Sequence, residues 1–216
     1  MIKAVIFDMD GTVLDTEKLY TKYWGLAVEQ SGFTISYEDL LGLRSLGWEY
    51  AQDYFEKVLG PTADQEKIRK LRQVLMKEYT DKHPIEVKKG IFETLDALRK
   101  KGIQTAIATA SVLERAKGFL ADVGLGDSFD RILATSMVKH GKPCPDVYLY
   151  ACEQLGIRPE EAIAVEDAPN GVLSAHRAGC HVVMVPDLSQ PDEELKKILD
   201  GVADDLTGVL EYVDRF

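Results

Sequence analysis

The chain has 216 residues, 45% of them hydrophobic and 29% charged, with a net charge of -10. That length accommodates one large domain or a core with a smaller satellite. The acidic balance argues against nucleic acid held on a basic surface, and no apolar run approaches the roughly 20 residues that span a bilayer.

The first element is Ala4-Val5-Ile6-Phe7, a short β-branched run that reads as a buried parallel strand, apolar on both faces. It ends in Asp8 and Asp10, with Gly11 suited to the turn that must follow. Two buried carboxylates repel each other unless a cation sits between them. The same carboxylate at Asp8 breaks the apolar start, so no signal peptide is expected. Asp15 or Thr16 can cap a helix, and Leu19, Tyr23, Ala27 and Val28 recur at helical spacing until Gly32. Further helices are expected near 47–59 and from Asp64 to about Lys82, with no convincing strand in this part. His83-Pro84 breaks the pattern, because the residue before proline disfavours helix.

From Ile85 onward strands alternate with helices. A helix over 91–101 ends at Gly102; then come a strand (103–108), a helix (112–123) and a short strand (131–134). A helix (146–155), a strand (162–165), a helix (171–178) and a last clear strand (180–185) complete the pattern. Cys180-His181 lies on that last strand, where neighbours point to opposite faces, so a buried thiol beside a surface imidazole is expected rather than a metal pair. The three cysteines, Cys144, Cys152 and Cys180, show no framework spacing and suit a reducing cytoplasm. The alternation implies βαβ crossovers and a parallel sheet. The opening strand finds partners only there, so residues 1–15 and 84–216 form an α/β core into which an all-helical segment, 16–83, is inserted.

Ligands of open parallel sheets bind at the carboxyl ends of the strands. There the sequence delivers Asp8 and Asp10, then Thr109-Ala110-Ser111, then Lys142 in "HGKPCPD", then Glu166 and Asp167 in "VEDAPNGV". Each alone reads as a turn, a cap or a surface residue; together they make sense as a phosphoryl-transfer site. Asp8 is the candidate nucleophile. Asp10 is the candidate acid and base, first protonating the leaving oxygen and then deprotonating water. Oxygen-only ligands suit Mg²⁺, supplied by Asp8, Asp167 and the Asp10 carbonyl, with Glu166 beside them. Lys142, Thr109 and nearby backbone N–H groups such as that of Ala110 would hold the phosphate oxygens. A calcium loop is excluded, since the required glutamate position is Leu19.

These four motifs, in order and spacing, resemble those of the haloacid-dehalogenase-like hydrolase superfamily over nearly the whole chain. The resemblance implies a Rossmann-like core with a four-helix cap that closes over the site and selects the substrate. "LDTEKLY", "HGKPCPD", "EDAPNGV" and "VVMVPD" are similar to the β-phosphoglucomutase-like group, most of all to its pseudouridine-5′-phosphatase and 2-deoxyglucose-6-phosphatase side. The chain departs from the family at Lys89-Gly90, often Pro-Gly, and at Ser136-Met137-Val138, often Asp-Glu-Val. The expected protein is a cytoplasmic, monomeric, Mg²⁺-dependent phosphatase of a small phosphorylated metabolite, binding neither nucleic acid nor membrane. A sugar-phosphate mutase is the alternative, and a non-catalytic binding module a third reading. Arg44 in "GLRS" and Tyr20, which stands where the resembled mutases carry a histidine, are the candidate specificity residues.

Overall fold

The computed structural model describes residues 1–216, the side chain of Trp48 excepted. Its centre is a parallel sheet of β1 (Ala4–Phe7), β2 (Gln104–Thr109), β3 (Arg131–Ala134), β4 (Ala162–Glu166), β5 (His181–Met184) and β6 (Gly201–Val202). The spatial order is β3-β2-β1-β4-β5-β6, so β1 lies between β2 and β4. Phe7 is in register with Ile107 on one side and Val165 on the other, which brings three strand ends level. Alternation sorts the side chains. Val5, Phe7, Ile107 and Val165 join one core with Ile91, Leu98 and Leu120, from α5 (Ile91–Lys100) and α6 (Leu113–Asp122). Ala4, Ile6, Ala106 and Ala164 join a second, under Tyr148 and Val172 of α7 (Asp146–Leu155) and α8 (Pro169–Ala178). Full burial of such side chains contributes about 1.5–3 kcal/mol each.

Between β1 and α5 lie four helices: α1 (Glu17–Gln30), α2 (Tyr37–Leu41), α3 (Trp48–Leu59) and α4 (Gln65–Thr80). α1, α3 and α4 share a small core of Ala27, Val28, Phe55 and Ile68, separate from the two cores on the sheet. The chain enters and leaves this unit through two segments that pair with each other. Asp15 N–H donates to the Glu86 carbonyl at 2.9 Å and Lys88 N–H to the Val13 carbonyl at 2.8 Å. Two short helices, α9 (Glu193–Lys196) and α10 (Val209–Arg215), complete the chain. Among the described residues no helix is long and apolar enough to cross a membrane.

The helical unit is docked on the core through its loop before α3. Gly47 N–H donates to the carbonyl of Lys142 at 2.7 Å, and Gly141 N–H donates to Glu49 Oε1 at 2.6 Å. Asn170 Nδ2, at the start of α8, donates to the Arg44 carbonyl at 2.9 Å. This close approach depends on two facing glycines. A Cβ at Gly47 would lie 2.9 Å from both Gly141 Cα and the Lys142 oxygen, and neither backbone atom can turn aside. Gly47→Ala is therefore expected to undo the docking at a cost of about 1–3 kcal/mol while leaving both units folded. Small-angle scattering should show a larger radius of gyration with unchanged helical circular dichroism; an unchanged scattering profile would contradict the clasp.

Candidate active site

The level strand ends create the site. Asp8 follows β1, Glu166 ends β4 and Asp167 follows it, while Lys142 arrives on the loop between β3 and α7. The Lys142 ammonium is fully buried and donates to Asp8 Oδ1 and to Glu166 Oε1, both at 2.6 Å. Tyr148, on α7, donates its hydroxyl to the same Glu166 oxygen. Glu166 is thus the anchor of the lysine, and the lysine in turn fixes one oxygen of Asp8. The other Asp8 oxygen, Oδ2, is buried and accepts no hydrogen bond.

Acid outweighs base here. Asp8, Glu166 and Asp167 each bring a carboxylate oxygen within 4.8 Å of the others. Glu166 Oε2 and both oxygens of Asp167 are buried without hydrogen-bond partners. Burial lifts the Asp8 carboxyl to about 8, with Lys142 opposing the rise only in part. Burial likewise pushes Asp167 well above the usual carboxylate range, helped by the neighbouring Asp8. Burial works to strip the Lys142 proton, but Asp8 and Glu166 outweigh it and hold that group above its ordinary value. Orphaned carboxylate oxygens of this hardness and spacing fit a divalent cation with oxygen coordination. Gly11 keeps the space open. Its φ is +90°, and a Cβ there would sit 2.5 Å from Asp167 Oδ2.

Asp10 is held apart from this cluster. Its Oδ1 accepts from Thr16 Oγ1 at 2.6 Å and its Oδ2 from Ser111 Oγ at 2.7 Å. It is not among the three carboxylates that come within 4.8 Å of one another, so a metal ligand from Asp10 would be its main-chain carbonyl. Ser111 also accepts from Arg115 Nη2 at 3.1 Å, and the Tyr20 hydroxyl lies 3.4 Å from Ser111 Oγ.

The remaining expected residues divide. Ala110 lies in the wall of a cavity of about 360 Å³ that also contains Asp8 and Asp10. Thr109 ends β2 fully buried, and its hydroxyl accepts from Ser111 N–H at 2.9 Å. Tyr20 lines the cavity from α1. Arg44 lines it too, but its guanidinium is turned to the core, with Nη1 3.6 Å from Asp167 Oδ2 and Nη2 on the Ser189 hydroxyl. Three residues escaped the sequence reading. Ser111 was seen only as part of its tripeptide, and Tyr148 only as a helical position. Glu17 stands in the first turn of a helix, where an acid is ordinary. It is instead buried in the cavity wall, where burial first and Asp167 second raise its carboxyl well above the usual range.

These shifts have a sign that stability measurements can read. Asp8 binds a proton in the folded state up to about pH 8, whereas unfolded Asp loses it near pH 3.9. The metal-free protein should lose stability between those values as pH rises, by up to about 1.4 kcal/mol per pH unit for one such group. Thermal unfolding at pH 5, 6.5 and 8 checks this, and added Mg²⁺ should raise Tm most at pH 8. A flat metal-free profile would contradict it. Lys142→Ala leaves Asp8 and Glu166 without their cation and should cost about 3–5 kcal/mol. Denaturant unfolding at pH 8 would measure that loss, which should shrink at pH 5.

Comparison with known proteins places this geometry. The family model for haloacid dehalogenase-like hydrolases matches residues 2–179. The fructose-1-phosphate phosphatase YqaB of Escherichia coli is 32% identical over 187 residues, covering 84% of this chain and 95% of that protein. A phosphorylated carbohydrates phosphatase of Thermotoga maritima is 31% identical over 193 residues, covering 82% of each chain. The crystal structure of CbbY from Rhodobacter sphaeroides in complex with phosphate superposes with a TM-score of 0.79 at 26% identity, covering 97% of this chain and 96% of that one. With its parallel sheet, inserted helices and four strand-end motifs, the chain belongs to the haloacid dehalogenase-like hydrolase family.

Proposed function

We propose that the protein is a Mg²⁺-dependent phosphatase of a small phosphorylated metabolite, a sugar phosphate or nucleotide-like monophosphate, working through an aspartyl-phosphate. The observation that carries this reading is the asymmetry at Asp8. Lys142 holds one of its oxygens at 2.6 Å, while the other is buried and unpartnered, as a nucleophile aimed at phosphorus requires. In the first half-reaction Asp8 Oδ2 forms a bond to phosphorus as the bond to the leaving alcohol breaks, and Asp10 gives that oxygen its proton. In the second, water attacks the same phosphorus, Asp10 takes the water's proton, and Asp8 departs with inorganic phosphate released. Ser111 and Thr16, both bonded to Asp10, keep its carboxyl oriented through the cycle. Lys142 with Thr109 and the Ala110 backbone would hold the phosphate oxygens. Asp8, Asp167 and the Asp10 carbonyl, with Glu166 beside them, would hold Mg²⁺, which when bound neutralises the carboxylates and the phosphoryl charge.

A phosphorylated sugar suits the rest of the cavity. Glu17, Thr21 and Gln65 line it from the helical unit, and Thr21 Oγ1 and Gln65 Nε2 are buried without partners. Hydroxyl groups of a bound polyol would complete them, and residues 16–83 would act as the cap that selects the substrate. The relatives named for sugar-phosphate hydrolysis support the same class.

Tyr20 favours hydrolysis over the mutase alternative. A mutase must shield its aspartyl-phosphate from water until a second sugar hydroxyl arrives, and a histidine can couple that step to cap closure. Burial, and then Asp10, push the Tyr20 hydroxyl up to about 12, so it stays neutral. Sugar phosphates should therefore release inorganic phosphate as the main product, and a screen of sugar and nucleotide monophosphates by phosphate release should find the substrate. Isomerisation of β-glucose 1-phosphate to glucose 6-phosphate faster than phosphate appears would establish the mutase instead. Asp8→Asn should fold normally and lower kcat by about 10³-fold or more, since an amide cannot take the phosphoryl group. A near-normal rate would reassign the nucleophile.

A further inference from the structure

A second cavity, of about 540 Å³, opens on the hinge side of the junction between the cap helices and the core. One wall is α4, with Arg72 and Met76; the opposite wall is α6, with Arg115 and Phe119; Ile85, from the return linker, closes the back. Arg72 lies in the walls of both this cavity and the active-site cavity. No step proposed above uses the second space.

Its two arginines lack counter-ions. Arg72 is only 5% exposed, its Nε has no hydrogen-bond partner, and its Nη1 meets nothing better than Met76 Sδ at 3.8 Å. Arg115 spends one nitrogen on Ser111 Oγ and also keeps a buried, unpartnered Nε. Neither guanidinium has a carboxylate within 4 Å among the described residues. The Tyr20 ring lies 5.0 Å from the Arg72 guanidinium carbon and 5.7 Å from that of Arg115, and the Trp24 ring lies 4.9 Å from Arg72. Such stacking returns part of the lost hydration, but a buried charge ordinarily finds an opposite one. Lys77 is already neutralised by Asp81 at 2.6 Å, and Asp122 and His83 also line the cleft.

We propose that this cleft is a binding site for a small organic oxyanion, a sulfonate, carboxylate or phosphate carried on an apolar body. The oxyanion engages Arg72 and Arg115, as the planar fork of guanidinium favours. The body lies on Met76, Ile85 and Phe119, in a volume typical of small-molecule sites. A bare hydrated ion gains nothing from those walls. Because one arginine belongs to the cap helices and the other to the core, the occupant ties the two units together and favours their docked arrangement. Arg115 also donates to the serine that bonds Asp10, so occupancy reaches the acid/base residue without entering its cavity. The site does not depend on which phosphate ester the active site hydrolyses.

The probe is naphthalene-1-sulfonate, which cannot be hydrolysed as a phosphate ester, titrated calorimetrically into the full chain with Mg²⁺ and saturating inorganic phosphate. Binding with Kd below about 1 mM is expected, with naphthalene-1-methanol and inorganic sulfate each at least about 10-fold weaker, a difference of about 1.4 kcal/mol. Arg115→Gln should weaken the sulfonate by a similar factor. A Cβ at Gly118 on α6 meets no atom within 4 Å, so Gly118→Phe should fold, fill the cleft and abolish probe binding. That variant should hydrolyse p-nitrophenyl phosphate within about twofold of the parent rate. No sulfonate binding at millimolar concentration, displacement by phosphate, indifference to Gly118→Phe or to Arg115→Gln, or equal binding of the alcohol or of sulfate would each overturn the proposal.

Discussion

One ammonium group, that of Lys142, sits fully buried between Asp8 and Glu166 at 2.6 Å from each, and the site depends on it. An ion pair without water is tolerated only with close geometry and with its remaining polar atoms satisfied. On one side this holds: Tyr148 and Lys142 both donate to Glu166 Oε1. On the other it does not: buried oxygens of Asp8, Glu166 and Asp167 are left without partners, and Asp8 lies in the cavity wall. A structural pair would have been closed on all sides. The side left open at Asp8 is where the proposed cation and phosphoryl group would bind.

The same lysine links chemistry to the position of the helical unit. Its own carbonyl accepts from Gly47 N–H, and the preceding Gly141 N–H donates to Glu49. The loop that carries the Lys142 ammonium is therefore also the surface on which the helices dock. From the opposite flank, Arg44 brings a guanidinium of that unit within 3.6 Å of Asp167. Docking thus delivers positive charge to a site short of it, and separation would remove that charge while admitting water.

Much of this was legible in the sequence because it is local or periodic. The apolar run from Ala4 to Phe7, the alternation of strands with helices after Ile85 and the absence of strands between Thr16 and His83 sufficed for an α/β core with a helical insertion. Chemistry-bearing residues directly after strands could be assigned to one edge, since parallel strands align their carboxyl ends. The helix at Pro169 begins two residues earlier than its apolar pattern, because proline at a first helical position contributes no pattern of its own. β6, only Gly201–Val202, is too short to show alternation at all.

What the tertiary structure decided are the partners separated by long stretches of chain. Tyr148 donates to Glu166 across 18 residues and Ser111 to Asp10 across 101; no spacing rule connects them. Glu17 carries the mark of an ordinary first-turn acid, and only the fold of the inserted helices buries it beside Asp10. Arg44, a specificity candidate, lines the cavity and also brings its guanidinium within 3.6 Å of Asp167. By itself the sequence determined that carboxylates, a hydroxyl and a lysine following successive strands gather at one edge of a parallel sheet. Which oxygen of each carboxylate is bound and which is left free was decided by packing, because that depends on side chains meeting from opposite ends of the chain.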